Sequence, residues 1–587
     1  MSTLSTYLAN SHTRIKYLGV LLLVVFAVFA ARLFYIQVIQ HGYYTAEAQK
    51  NQVTKLTIFP ERGLLYARDG ESIAPLVLNE TVYTVFADPK EVSDVNAVKE
   101  ALTSIAGGDI LSGAFDSLSN EKLRYVVLAR QVSRTQAELI QEKELSGVGL
   151  QKGTRRVYPE GALAGQLLGF VDTEGSGQYG VENYLNDRLG GQAGLLQAVA
   201  DVRRIPLTIG NDNVERPAVN GDDIVLTIDR NVQEYAEQVL KDNAERLKTK
   251  NASIVIMNPN NGQVMAMANY PTYEPANYSK TTDYSLFQNT VVNGPYEAGS
   301  VIKALTVAAG LDTGAITPTS TSPNPNGCTT VADRTICNVV RTVGTQPTTQ
   351  DLLTFSLNTG AVNVLRSMGG GDINYSGRQK FYTYLNERYR FTKQTGIEQS
   401  NEAKGLVYSP DNEQGNNVRY ANMTFGQGMT TTMIQVASAF SATINGGTYY
   451  RPTLVYGTRS SDGSVKTVNP TVVQQNVIAK QHSDEMRDLL WHARYDRTGK
   501  LTDRGGYRIG GKTGTSEVID PQTGKYTSDH TIGSYLGFGG GSTPEYVIMI
   551  RMDDAQGGVF AGSTTASQMF GTISNWLITY KNIPPVS

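Results

Sequence analysis

The chain has 587 residues, 18% of them charged, and a net charge of −2. That is room for about four domains, with no basic excess for holding nucleic acid. Five histidines (His12, His41, His482, His492, His530) and two cysteines show no metal-ligand spacing, so neither a metal nor a cofactor is expected. No Gly-x-Ser-x-Gly elbow occurs either, which argues against an α/β-hydrolase nucleophile.

Arg14 and Lys16 precede the apolar stretch Tyr17–Val38, interrupted only at Tyr17, Gly19, Arg32 and a few polar positions after it. About 22 residues suffice to cross a ~30 Å hydrocarbon core. Positive charge before the segment predicts a cytoplasmic tail at 1–16, too short for a signalling domain, an anchor at 17–38, and an exported remainder. A cleaved signal peptide is the rival; apolar residues continue past Arg32 and no small-x-small site precedes it.

Gly42–Lys55 reads as a helical continuation. From there to about residue 218 the pattern is mixed, with a strand expected at Thr81–Phe86 and a helix at Gln136–Lys143. Neither an internal repeat nor a helix–strand alternation is present, so 39–218 is expected to be one elongated mixed domain. A second unit, 219–587, opens with a strand at Asp223–Ile228 and a helix capped by Asp229. A hairpin, Ala252–Met257 with Gln263–Ala268, follows. Helices are expected at Ser300–Leu311, Asp351–Ser367, Thr430–Ile444 and Ser563–Tyr580, and strands at Arg508–Gly511, Thr531–Phe538 and Tyr546–Met552. Strands at both ends with helices between give an α+β core, an antiparallel sheet packed by helices. Cys328 and Cys337 lie in a Pro/Gly/Thr-rich segment; in an oxidising exterior they can close a loop, and otherwise they are two thiols.

Three short motifs carry chemistry. Ser300-Val301-Ile302-Lys303 follows Gly299 and opens an apolar helical run. Ser300 then sits in the first turn with Lys303 three residues on, on the same face. The helix N-terminus favours an anionic nucleophile and penalises a protonated lysine, and burial lowers the lysine pKa further, which makes a base. Ser356-Leu357-Asn358, expected on the next helix, offers a relay hydroxyl and an amide to hold a peptide backbone. Lys512-Thr513-Gly514-Thr515 follows Gly510-Gly511 and offers a cation and two hydroxyls to a carboxylate, with glycine allowing close backbone approach. Each motif alone is weak: about two Ser-x-x-Lys arise by chance at this length. Rival copies exist at Ser119–Lys122, Ser322-Pro323-Asn324 and Arg497-Thr498-Gly499. The ordered conjunction is what points to a serine acyl-transferase.

The motif set resembles that of the class B penicillin-binding proteins, membrane-anchored peptidoglycan D,D-transpeptidases. The resemblance extends to Ala31-Arg32-Leu33-Phe34-Tyr35-Ile36-Gln37-Val38, Glu61-Arg62-Gly63, Arg156-Val157-Tyr158-Pro159, Gly169-Phe170-Val171 and Gly180-Val181-Glu182. It continues in Phe425-Gly426-Gln427-Gly428 and Asn445-Gly446-Gly447. It implies a pedestal or dimerisation domain before a transpeptidase domain, and a bacterial single-pass membrane location. It further implies Ser300 as nucleophile, Lys303 as base and Ser356 as proton relay. Asn358, Lys512, Thr513, Gly514 and Thr515 would bind the donor peptide, and the N–H groups of Ser300 and Thr515 would form the oxyanion hole. Stem pentapeptides and β-lactams are the implied ligands; a polytopic glycan polymerase and divisome proteins are the implied partners. Asn358 and Ala87-Asp88-Pro89 resemble the septal, FtsI-like type. An elongation-type enzyme, a D,D-carboxypeptidase or β-lactamase, and a β-lactam-binding sensor are the alternatives. Ala298 stands where the family usually has proline. Nothing follows the final helix, so appended C-terminal repeats are not expected.

Overall fold

The computed structural model of the chain describes residues 3–44, 53–120, 122–199, 214–341, 343–519, 526–556 and 562–586. These form two compact units, 1–61 with 191–220 and 62–190 with 221–587.

In the first unit the helix Thr3–Phe34 continues through a wider turn, Tyr35–Ile39. Ile15–Ile39 is long and apolar enough to cross a membrane and is exposed along its length. The helical continuation expected over Gly42–Lys55 is corrected in part. Residues 45–52 lie outside the described residues, and Val53–Ile58 is a strand paired antiparallel with Gly194–Val199. Val53, Thr54, Thr57 and Ile58 are β-branched, which favours a pleated surface over a helix.

In the second unit, a seven-stranded sheet includes Leu65–Asp69, Ser72–Ala87, Val126–Ser133, Val148–Val157 and Asp223–Asp229. Leu65–Asp69 pairs parallel with Asp223–Asp229. Three of the phrases noted in the sequence converge below this sheet. Arg62 donates from Nε and Nη2 to Glu182 Oε2 at 2.9 and 2.6 Å, and Arg156 Nε lies 2.9 Å from Glu182 Oε1. The Arg156 contact lies off the hydrogen-bonding direction, so it is an ion pair without a hydrogen bond. Desolvation lowers the Arg156 pKa and raises that of Tyr158, whose hydroxyl is also near Glu182.

The five-stranded sheet runs Val264–Tyr270, Asn251–Met257, Pro544–Asp553, Tyr526–Gly540, Arg508–Ile519, antiparallel throughout. Alternation of side chains sends Ile254, Ile256, Ile548 and Ile550 to one face, against the helices Arg230–Leu247 and Ser567–Tyr580. Val255, Met257, Val547 and Met549 go to the other, in the core of Ile302–Asp312 and Met433–Ile444. Both faces are thus covered, which is why these strands read as unbroken apolar runs. Each aliphatic side chain so buried contributes about 1.5–3 kcal/mol. Ile302–Leu311 is buried on every side, as a central helix must be. Asp229 caps its helix as expected, accepting from the N–H groups of Asn231 and Val232.

The helix expected over Asp351–Ser367 is corrected. It is two helices, Thr349–Thr354 and Asn358–Met368, parted at Phe355–Leu357, with Ser356 in the left-handed region at φ 56°. Ser356-Leu357-Asn358 is therefore a turn leading into a helix start. Apolar periodicity continues through the break, and no Gly or Pro marks it.

Candidate active site

The core helix Ile302–Asp312 begins directly after a tight turn, Gly299–Val301. Gly299 has φ 64°, and a Cβ there would meet Thr515 O at 2.7 Å. The turn that carries Ser300 is thereby pressed against the strand Arg508–Ile519. Gly426 closes the other side: its carbonyl accepts from Gly299 N at 3.1 Å, and a Cβ on it would strike Gly299 O at 2.1 Å.

Lys303 points from the core helix into the protein and is wholly buried. Its Nζ donates to Ser356 O and Asn358 Oδ1, both at 2.7 Å, and lies 3.2 Å from Ser356 Oγ. Burial drives its pKa well below the ordinary lysine value, and repulsion from Lys512 adds to the effect. A neutral amine donates twice, here to the two nearer oxygens, and keeps a lone pair for a proton. The left-handed turn at Ser356 aims carbonyl and hydroxyl at the same nitrogen, and this local strain is held by that bonding.

Asn358 is held from behind. Its Nδ2 donates to Cys337 O at 2.9 Å, and Cys337 is disulfide-bonded to Cys328 across a two-stranded hairpin. Next to it Asn338 Nδ2 donates to Asn324 Oδ1 and Thr359 Oγ1, both at 2.9 Å, and Asn338 Oδ1 accepts from Thr359 N. Asn324, in the rival Ser-Pro-Asn triplet, is thus a buried brace of the true motif.

Lys512 lies on the strand Arg508–Ile519, the edge of the five-stranded sheet. It is 2% exposed, and its Nζ donates to Thr513 O at 2.9 Å. Burial, aided by the charge of Arg497, lowers its pKa to about 7. Gly511 and Gly514 have no room for a side chain: a Cβ would meet Tyr535 Oη at 2.6 Å and Ser534 Oγ at 2.3 Å. The free edge of such a strand can pair with an extended peptide backbone.

Ser300, Ser356, Asn358, Lys512, Thr513 and Thr515 line one cavity of about 610 Å³. Lys303 lies beneath it, bonded to Ser356 and Asn358. All three motifs are brought together, with Gly514 supplying close packing under the strand. Ser119 and Lys122 are not among the lining residues. Residues beyond the motifs also line the cavity, including Phe355, Gln427, Arg497 and Thr498. Arg497 lies 5.6 Å over the Phe355 ring. Two residues of the rival triplet Arg497-Thr498-Gly499, Arg497 and Thr498, therefore contribute to the cavity wall that Lys512 also lines. Among the described residues no cluster of His, Cys, Asp or Glu could hold a metal.

Comparison with known proteins assigns the two parts of the chain to known domains. The penicillin binding protein transpeptidase domain matches residues 252–575 and the penicillin-binding protein dimerisation domain matches 57–226. The stage V sporulation protein D of Bacillus subtilis is 28% identical over 573 residues, covering 96% of this chain and 85% of its own. The peptidoglycan D,D-transpeptidase FtsI of Escherichia coli is 26% identical over 572 residues, covering 96% and 91%. A peptidoglycan synthetase from Bifidobacterium adolescentis superposes with a TM-score of 0.71 at 24% identity over 91% of this chain and 98% of its own. With both domains matched in this order, the chain belongs to the penicillin-binding protein transpeptidase family, in its class B form.

Proposed function

We propose that this protein is a membrane-anchored, serine-type peptidoglycan D,D-transpeptidase of septal wall synthesis. The observation that carries the reading is Lys303: a wholly buried amine, bonded to the second motif and held well below its usual pKa. Ser300 Oγ attacks the penultimate D-Ala carbonyl of a stem pentapeptide and passes its proton to Lys303. The oxyanion rests on the N–H groups of Ser300 and Thr515. As the C–N bond breaks, Ser356, 3.2 Å from Lys303 Nζ, relays the proton to the departing D-Ala amine. Lys512 in its protonated form, with the hydroxyls of Thr513 and Thr515, holds the terminal carboxylate, and Asn358 the peptide amide. The amine of a second stem then attacks the Ser300 ester, and Ser300 leaves with its proton restored. A β-lactam enters the same path and stays on Ser300.

Ile15–Ile39 anchors the chain with its N-terminus in the cytoplasm, by the charge of Arg14 and Lys16. A polytopic glycan polymerase and divisome proteins are its partners, since an enzyme that only cross-links needs nascent strands delivered to it. The septal assignment is supported by Asn358 and by the relatives named FtsI.

Labelling with a fluorescent penicillin tests the site: one covalent adduct is expected on the wild type and none on Ser300→Ala. A label that persists on the variant sinks the assignment, and rapid turnover of the drug turns the reading to a hydrolase. Depletion tests the role, with filaments expected; rounded cells would place the enzyme in elongation.

A further inference from the structure

Gln427 lines the catalytic cavity, and the next residue, Gly428, lines a second cavity of about 670 Å³. The segment around the disulfide hairpin also runs between them. Val339 and Val340, just after it, line the first cavity, while Asp333 and Arg334 at its turn line the second. Two pieces of chain thus separate the nucleophile's cavity from another that the catalytic scheme leaves unused.

The second cavity is lined by three guanidinium groups, Arg334, Arg378 and Arg419, with the amides of Asn416, Asn417 and Asn422 and one carboxylate, Asp333. Arg334 pairs with Asp333 at 3.6 Å, with the two side chains 71% and 78% exposed, a contact worth little. Arg419 lies 4.4 Å over the Tyr408 ring and donates to Gly428 O at 3.3 Å. Arg378 stands over Tyr375 and Tyr420 and donates to Gly415 O, while its Nε is buried with no acceptor among the described residues. Rings and carbonyls position the two inner cations, and among the described residues neither forms an ion pair with a carboxylate. Guanidinium forks beside side-chain amides match a peptide carboxylate and its neighbouring amide.

We propose that this cavity is the acceptor subsite, holding the carboxylate of the second stem peptide while its amine reaches the acyl group on Ser300. The proposal rests on the transpeptidase reading above, in which the donor already occupies the first cavity with its carboxylate on Lys512. The acceptor must approach from beside that cavity, and a basic recess lined by the residue next to Gln427 suits an acidic peptide.

The test is transfer by the full chain in detergent from a D-Ala-D-Ala donor to two acceptor peptides, identical except for a C-terminal carboxylate or carboxamide. Wild type is expected to favour the carboxylate. Arg334→Gln and Arg419→Gln are each expected to raise KM for that acceptor about tenfold, with kcat, use of the carboxamide and penicillin labelling of Ser300 unchanged. Arg334 is exposed at a hairpin turn, so its variant folds even if Arg419→Gln does not. Equal use of both acceptors by the wild type, or variants that slow both alike, overturns the subsite while leaving the Ser300 reading intact. A wild type that penicillin does not label overturns both.

Discussion

At Arg62 and Arg156 the fold buries two guanidinium groups around one carboxylate; at Lys303 and Lys512 it buries two amines with no carboxylate paired to either among the described residues. Both arrangements are expensive in desolvation. In the first, Glu182 pairs with both cations. In the second no carboxylate pairs with either amine among the described residues, and burial lowers the pKa, to about 7 at Lys512 and well below the ordinary lysine value at Lys303. A buried paired charge is architecture; a buried charge paired only with neutral oxygens is a reagent.

The sharpest way to break this comparison is to remove a member of each set. Lys303→Met is expected to cut acylation by about 10²–10⁴-fold, the usual worth of a general base. It should leave stability unchanged or raised, because a buried amine is exchanged for an apolar side chain of similar length. Penicillin acylation rate and thermal melting of the same sample check this; a variant that melts much earlier would mean Lys303 is structural. Glu182→Gln is the converse. It strands two buried guanidinium groups and is expected to destabilise by about 3–5 kcal/mol, while molecules that remain folded acylate at the wild-type rate.

The next effect concerns pH. Lys303 must be neutral to accept a proton, so acylation rises as pH passes upward through its lowered pKa. Lys512 must be protonated to hold a carboxylate, so kcat/KM falls again as pH rises past about 7. Lys512→Arg keeps its charge and is expected to lose the descending limb alone; an unchanged bell would assign that limb elsewhere. Stability has its own sign. An unfolded lysine stays protonated to about pH 10.4, whereas folded Lys303 sheds its proton earlier, so the unfolded chain binds more protons in between. Stability therefore rises with pH across that window, and Lys303→Met should flatten the slope.

The smallest effect is at Ala298, which is buried with φ −73°, inside the range proline requires. Ala298→Pro is expected to stabilise by about 0.4–1 kcal/mol through the unfolded chain without changing acylation. A lower melting temperature would show that Glu297, before it, cannot take the extended backbone proline demands.

The sheet, its covering helices and two of the three motifs were legible because local pattern and tertiary role coincide there. Ser300 and Lys303 lie three apart on one helical start, and Lys512–Thr515 continue one strand. The middle motif was misread as helix because the apolar positions around Leu352, Leu353, Leu357 and Ala361 keep helical spacing across the break. In the break Ser356 turns its carbonyl and hydroxyl to Lys303, fifty-three residues away in the chain. Asn324 and Arg497 sat in triplets that resembled motifs, and sequence could not say that one is buried behind Thr359 and the other exposed on the cavity wall.

The sequence by itself determined which groups are available: a hydroxyl at 300, amines at 303 and 512, an amide at 358, and an apolar segment long enough to cross a membrane. Their order, their spacing along single elements and hydrophobic periodicity are local properties of the chain. Only the tertiary structure decided their chemical state. Whether a lysine is a solvated cation or a base depends on how completely it is buried and on which oxygens face it, and those oxygens come from elements distant in sequence.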